Sequence, residues 1–208
     1  MKTLSIIAIA GLAAAATANP ALEWRGATPQ STDLRGPTAS GTFNVDLSSV
    51  ASWDALSDSS NQILLVDVNA ALGGVAGAGA TMTGIGWDNS LSTVGGSWLS
   101  EAVMYFDDNI APDLSGLFLT TGVGEDFSGT NSYSSGGILD LSDNGIPDIA
   151  LADGILRIEF FENFDDAADA IDAFYGGTIT IAADYTVPAP AGLAVLGLGG
   201  LVASRRRR

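Results

Sequence analysis

The residues best suited to chemistry lie in one short stretch, Asp140-Leu-Ser142-Asp143-Asn144-Gly145-Ile-Pro-Asp148. Oxygen-bearing side chains recur at loop positions one, three and five. Glycine stands at six and Asp148 at nine. That is the opening of a calcium loop, in which alternate side chains converge on one cation and the glycine permits the sharp turn. Asp140, Ser142, Asn144 and Asp148 are therefore the expected Ca2+ ligands. The pattern departs at position twelve, where Leu151 replaces the bidentate glutamate. The same residues also spell a polar turn, because Asp, Asn and Gly favour turns on their own account.

A second acidic group comprises Glu159, Glu162, Asp165, Asp166, Asp169 and Asp172. If residues 165–174 form a short helix, Asp165, Asp169 and Asp172 share one face, and a cation would relieve their repulsion. The alternative is a solvated acidic loop. Glu159 and Glu162 also raise glycoside hydrolysis, which needs two carboxylates across a sugar. Nothing in the sequence singles out such a pair among 24 acids. The serines around Ser132 lack a His or Lys base to activate them. Catalysis is therefore not expected. Trp24, Trp53, Trp87, Trp98, Tyr105, Tyr133, Tyr175 and Tyr185 are the rings that could stack on sugars. Trp87 and Trp98 lie in strand-like patterns and are expected in the core; Tyr133, in a Gly/Ser loop, is the surface candidate.

Composition removes many other chemistries. The 208 residues contain no Cys and no His. That excludes disulfides, thiolate nucleophiles, a Ser-His-Asp triad and the usual zinc sites. Between Lys2 and the arginines at 205–208 lie only Arg25, Arg35 and Arg157. Three arginines against 24 acids give that span a formal charge of −21. Without a lysine it has neither a Schiff-base amine nor a P-loop. Nor can it neutralise phosphates, so no nucleic-acid partner is expected. Such a charge keeps an exported protein soluble by repulsion.

The elements that must position these residues read as strands. Short β-branched and aromatic runs recur at 42–47, 62–68, 81–87, 102–106, 117–121, 155–161 and 178–185, bounded by turn formers. The expected fold is all-β: one antiparallel β-sandwich or jelly-roll-like domain over 42–186, after an irregular lead-in over 19–41. An N-terminal signal helix and a C-terminal hydrophobic sorting helix flank it. Met1-Lys2-Thr3 precedes an apolar run over 4–16, and Ala16-Thr17-Ala18 follows the small-x-small cleavage rule. Residues 1–18 thus read as a secretory signal, cut between Ala18 and Asn19. At the other end Val187-Pro188-Ala189-Pro190-Ala191 leads into a Gly/Ala/Leu-rich span and then Arg205, Arg206, Arg207 and Arg208. The apolar part has 13 residues, short of the roughly 20 of a full span. The arginines are a positive-inside stop.

These features resemble a PEP-CTERM-type bacterial sorting signal over residues 187–208, with Pro188-Ala189-Pro190 standing where that family has Pro-Glu-Pro. The wording is similar to the Val-Pro-Leu-Pro-Ala variant. The resemblance implies export, transient anchoring in the inner membrane and processing by an exosortase-like enzyme. It also implies residence at the cell surface or in the extracellular matrix, with exopolysaccharide as a partner. In layout alone, the strand, acidic loop and strand that end the body resemble the P domain of proprotein convertases, a jelly-roll sandwich. The expected function is a non-catalytic exported envelope or matrix protein; the alternatives are a calcium-dependent carbohydrate-binding module and, second, a carboxylate-based glycan hydrolase.

Overall fold

The computed structural model describes residues 19–26, 36–110, 112, 116–164, 166 and 170–189. Twelve strands succeed one another along these residues: β1 Leu22–Arg25, β2 Thr38–Asp46, β3 Val50–Ser52, β4 Gln62–Asp67, β5 Ala80–Thr93, β6 Ala102–Asp108, β7 Gly116–Leu119, β8 Thr130–Ser134, β9 Leu139–Asp140, β10 Ile149–Leu151, β11 Ile155–Glu162 and β12 Ala173–Thr186. One five-residue helix, α1 (Val68–Leu72), comes directly after β4. Asp67 caps it by accepting from the Ala70 N–H, and Gly73 ends it in the left-handed region.

The strands form two antiparallel sheets. The first runs in the order β1-β7-β6-β11-β4. The second is centred on β5 and β12, with β2 and β3 beside β12 and with β8, β9 and β10 beside β5. Strand β12 organises this sheet. It pairs with β5 from Ala173↔Thr93 to Tyr185↔Ala80, and with β2 from Thr178↔Asp46 to Thr186↔Thr38. The period of two explains why these residues are strands with these faces. Tyr175, Ile179, Ile181 and Ala183 point inward from β12 and are buried, as are Leu156, Ile158 and Phe160 from β11. A bulge at Ala182/Ala183 shifts the register, so that β5 turns in Met82 before it and Ile85, Trp87 and Leu91 after it.

The middle of the first sheet, β6 and β7, is buried on both faces, which accounts for the unbroken apolar run of β6. Met104 and Phe106 enter the main core, whereas Val103 and Tyr105 join Phe118 and Phe161 on the outer face. Leu56, from the β3–β4 loop, packs on this second cluster, and the Arg25 guanidinium lies 4.2 Å from the centre of the Phe118 ring. At the edge of the sheet β4 leaves Ile63 and Leu65 exposed.

Two expectations change. The lead-in is not wholly irregular, because Leu22–Arg25 pairs with β7 and β2 begins at Thr38. The short helix or loop read over 165–174 falls largely outside the described residues; of those described, Asp166 and Ala170 lie in bends and β12 starts at Ala173. Trp98 is at the surface, whereas Trp87 is in the core as expected. The signal segment 1–18 and most of the tail, 190–208, lie outside the described residues. Asn19 is described, as are Val187, Pro188 and Ala189. No described helix is long and apolar enough to cross a membrane.

Candidate functional site

The Asp140 loop forms one self-contained turn. Asp140 is fixed on β9 opposite Gly84 of β5, and the buried Leu141 and Ile146 anchor the two ends of the turn. Ser142–Asn144 makes a single 3-10 turn, closed by Gly145 at φ 72° with its N–H donated to the Ser142 carbonyl. The Asp140 Oδ1 accepts from the Ser142 hydroxyl at 2.6 Å and from the Asp143 N–H at 3.1 Å. The Asn144 amide donates to the Asp140 carbonyl at 2.8 Å, and its Oδ1 accepts from the Asn19 N–H at 3.3 Å. The Ser142 hydroxyl bond holds the Asp140 carboxyl below its ordinary range. Asp148 is pushed up by partial burial and then by the charges of Asp140 and Asp184. The structure thus brings Asp140, Ser142 and Asn144 into mutual contact, with Asp148 within electrostatic reach. Asp140 Oδ1 and the Ser142 hydroxyl serve the turn itself. Among the described residues no three His, Cys, Asp or Glu side chains gather as a metal-holding group.

The second acidic group separates into unlike members. Glu159, on β11, is buried on the outer face of the first sheet. Its carboxylate accepts from Arg157 Nη2 at 2.6 Å, the Ser57 N–H at 2.6 Å and Asn61 Nδ2 at 2.9 Å. It pins the β3–β4 loop to the sheet. Asp165 and Asp169 lie outside the described residues, so their shared helical face with Asp172 does too.

Glu162 and Asp172 meet where β11 ends and β12 begins, and both are fully buried. Ser52, the last residue of β3, donates its hydroxyl to Glu162 Oε1. Ser97 donates to Asp172 Oδ1 at 2.8 Å. Backbone bonds lock the elements together: Glu162 N–H to the Asp54 carbonyl, Asp172 N–H to the Ser52 carbonyl and Val94 N–H to the Asp172 carbonyl. Glu162 Oε2 has no hydrogen-bond partner among the described residues. Burial pushes the Glu162 carboxyl up to about 8, against the Ser52 bond, and Asp172, Glu101 and Asp166 raise it further. Tyr175 lies beneath, edge-on to Phe160 at 5.0 Å. Burial, and then the charge of Glu162, raise its hydroxyl well above the ordinary value.

Exposed rings surround this end of the sandwich. Trp98, Phe127 and Phe164 are 43%, 55% and 62% exposed. Their loops are tied by backbone bonds from Leu99 N–H to the Phe127 carbonyl and from Asn163 N–H to the Glu101 carbonyl. Tyr133, the surface ring expected from sequence, is half-buried, and its hydroxyl donates to Glu125 at 2.5 Å. On the outer face of the second sheet a groove of about 210 Å³ is lined by Trp87, Asp88, Ser134, Ser135, Ile138 and Thr180, among others.

No protein-family model and no curated protein matches the chain. Among solved structures it is similar to the VP2 subviral particle of infectious bursal disease virus at 7% identity, over 71% of this chain and 33% of that one, with a TM-score of 0.29. It is also similar to the Nora virus structure at 12% identity, over 80% of this chain and 67% of that one, with a TM-score of 0.27. The chain spans about a third of the length of the VP2 chain. Overlap of this extent carries no functional inference.

The sequence held one unused signal for the buried acid. Counting in twos from Leu156 through Ile158 and Phe160 lands on Glu162, which therefore points inward. The exposure of Trp98 had no such signal, because it sits in the turn beyond the end of β5.

Proposed function

We propose that this chain is an exported protein of the cell envelope or extracellular matrix, with a jelly-roll-like β-sandwich as its non-catalytic body. The observation that carries this reading is the pair of addresses flanking an acidic, lysine-free body. A signal over 1–18 brings the chain across the membrane. A PEP-CTERM-like tail over 187–208 holds it in the inner membrane until an exosortase-like enzyme acts. The body's charge supports a soluble role outside the cell and disfavours nucleic acid. Both described arginines are committed, Arg25 to Glu23 and Arg157 to Glu159. The non-catalytic reading is favoured because Glu159 is held by three donors and Glu162 is sealed from solvent. Exopolysaccharide is the proposed partner in the matrix.

Cell fractionation of the chain with and without residues 187–208 tests this. The full chain is expected in the surface or matrix fraction with Asn19 at its N-terminus. The truncated chain is expected to leave that fraction. Retention in the cytoplasm with Met1 intact would overturn the proposal.

The exposed Trp98, Phe127 and Phe164 favour a second reading, a carbohydrate-binding module, because flat rings stack on sugar faces. A glycan array with and without chelator tests it; absence of binding in both arms counts against it.

A further inference from the structure

We propose that Glu162 and Asp172 hold a hard divalent cation of the calcium class, at the end of the sandwich where β3, β11 and β12 meet. The calcium-loop spacing points to the Asp140 turn, which is a different place; Glu162 and Asp172 belong to the second acidic group, and it is their shared burial, not a helical face, that joins them here. It also stands apart from the export reading, which rests on the chain's ends.

Four observations converge. First, Glu162 and Asp172 are both fully buried and are joined through Ser52, which gives its hydroxyl to Glu162 and accepts the Asp172 N–H on its carbonyl. Second, Glu162 Oε2 lies in this cluster with no hydrogen-bond partner among the described residues, although its sister oxygen accepts from Ser52. A buried acceptor left unmet costs its full desolvation, so native structures fill such a position with a donor, a water or an ion. Third, no described cation serves it. Arg25 stacks on Phe118 beside Glu23, and Arg157 is bound to Glu159. Fourth, the surrounding donors are all oxygen: carboxylates, the Ser52 and Ser97 hydroxyls, and the backbone carbonyls that join the loops. With neither Cys nor His in the chain, the site suits Ca2+ and not a softer metal. No three described acids converge on one point. Two carboxylates therefore supply the charge, and hydroxyl, carbonyl and water oxygens complete the shell, as Ca2+ tolerates. The cation would clamp Ser97 and Asp172 onto the sandwich end beside Ser52.

The test is a thermal melt of the chain in Ca2+, in Mg2+ at equal ionic strength, and in chelator, with Glu162→Gln and Asp140→Asn beside it. Wild type and Asp140→Asn are expected to gain roughly 5–10 °C at a hundredfold Ca2+ excess over the dissociation constant. Glu162→Gln is expected to gain nothing. A Ca2+ response that survives in Glu162→Gln overturns the proposal, as does one lost in Asp140→Asn or an equal response to both ions. If Glu162→Gln melts too low to read, terbium luminescence sensitised by the nearby Tyr175 replaces the melt, with Asp172→Asn as the variant. Loss of emission in that variant supports the site, and unchanged emission overturns it.

Discussion

The Asp140 turn and the Glu162 end are both clusters of acid and hydroxyl, yet they solve opposite electrostatic problems. At Asp140 the chain supplies its own donors within four residues, so the carboxylate is stabilised as an anion at an exposed site. At Glu162 the chain supplies one serine hydroxyl, buries the rest and surrounds it with further acids. A metal-like spacing in sequence thus marks a place where Asp140 already takes donors from the turn and Asn144 takes one from Asn19. The deficit lies where strands far apart in sequence come together. Donors close in sequence make turns, whereas unmet acceptors arise from tertiary burial.

The contrast has opposite consequences for pH. Asp140 is depressed, so its contribution is present above its unfolded value and is lost as pH falls. Glu162 is raised from 4.5 to about 8, so in chelator the folded chain keeps a proton that the unfolded chain releases. Its contribution is full in acid and declines as pH rises through that window, by about 1.4 kcal/mol per unit at the steepest. Urea melts at several pH values should show this decline in wild type, and Glu162→Gln should flatten it. An unchanged slope in the variant would remove Glu162 as the source.

The next largest effect separates a buried acid that has its counter-charge from one that does not. Arg157→Met leaves Glu159 buried with only the Ser57 and Asn61 donors. It should destabilise by about 3–5 kcal/mol, read by denaturant midpoint. A loss under about 1 kcal/mol would mean that the two amide-type donors suffice for the carboxylate. The smallest effect belongs to the turn. Asp140→Ala removes the acceptor for Ser142 and Asp143 at an exposed site and should cost about 1 kcal/mol. A much larger loss would show that the turn carries the second sheet's edge and not merely itself.

Much of the sandwich was legible because its long strands obey the period of two. The runs at 42–47, 81–87, 155–161 and 178–185 all fall on observed strands, the first overrunning β2 by Leu47 alone. Strands β3, β9 and β10 are two or three residues long, too short for a period to show. Strand β8, Thr130–Ser134, is polar because it lies outside β5 with most of its side chains in water. Trp87 and Trp98 are the same residue in similar local sequence. One pairs with Ile179 inside β5 and the other lies past the strand's end, a difference set by where pairing stops. The candidate site was half legible. Its acids were visible as a cluster, but the partners of Glu162 and Asp172, namely Ser52 and Ser97, come from 110 and 75 positions away.

Strand β12 also sets when the molecule can fold. It is the centre of the second sheet and the last strand of the body, and its bonds reach back to residues such as Ser40, 144 positions earlier. Until residues 173–186 have been synthesised, β2 and β5 have no common neighbour and half of the core has no wall. Contacts of such separation close slowly, because loop entropy is spent before any pairing repays it. A polypeptide built this way closes its second sheet last, after every strand of the first is already on hand.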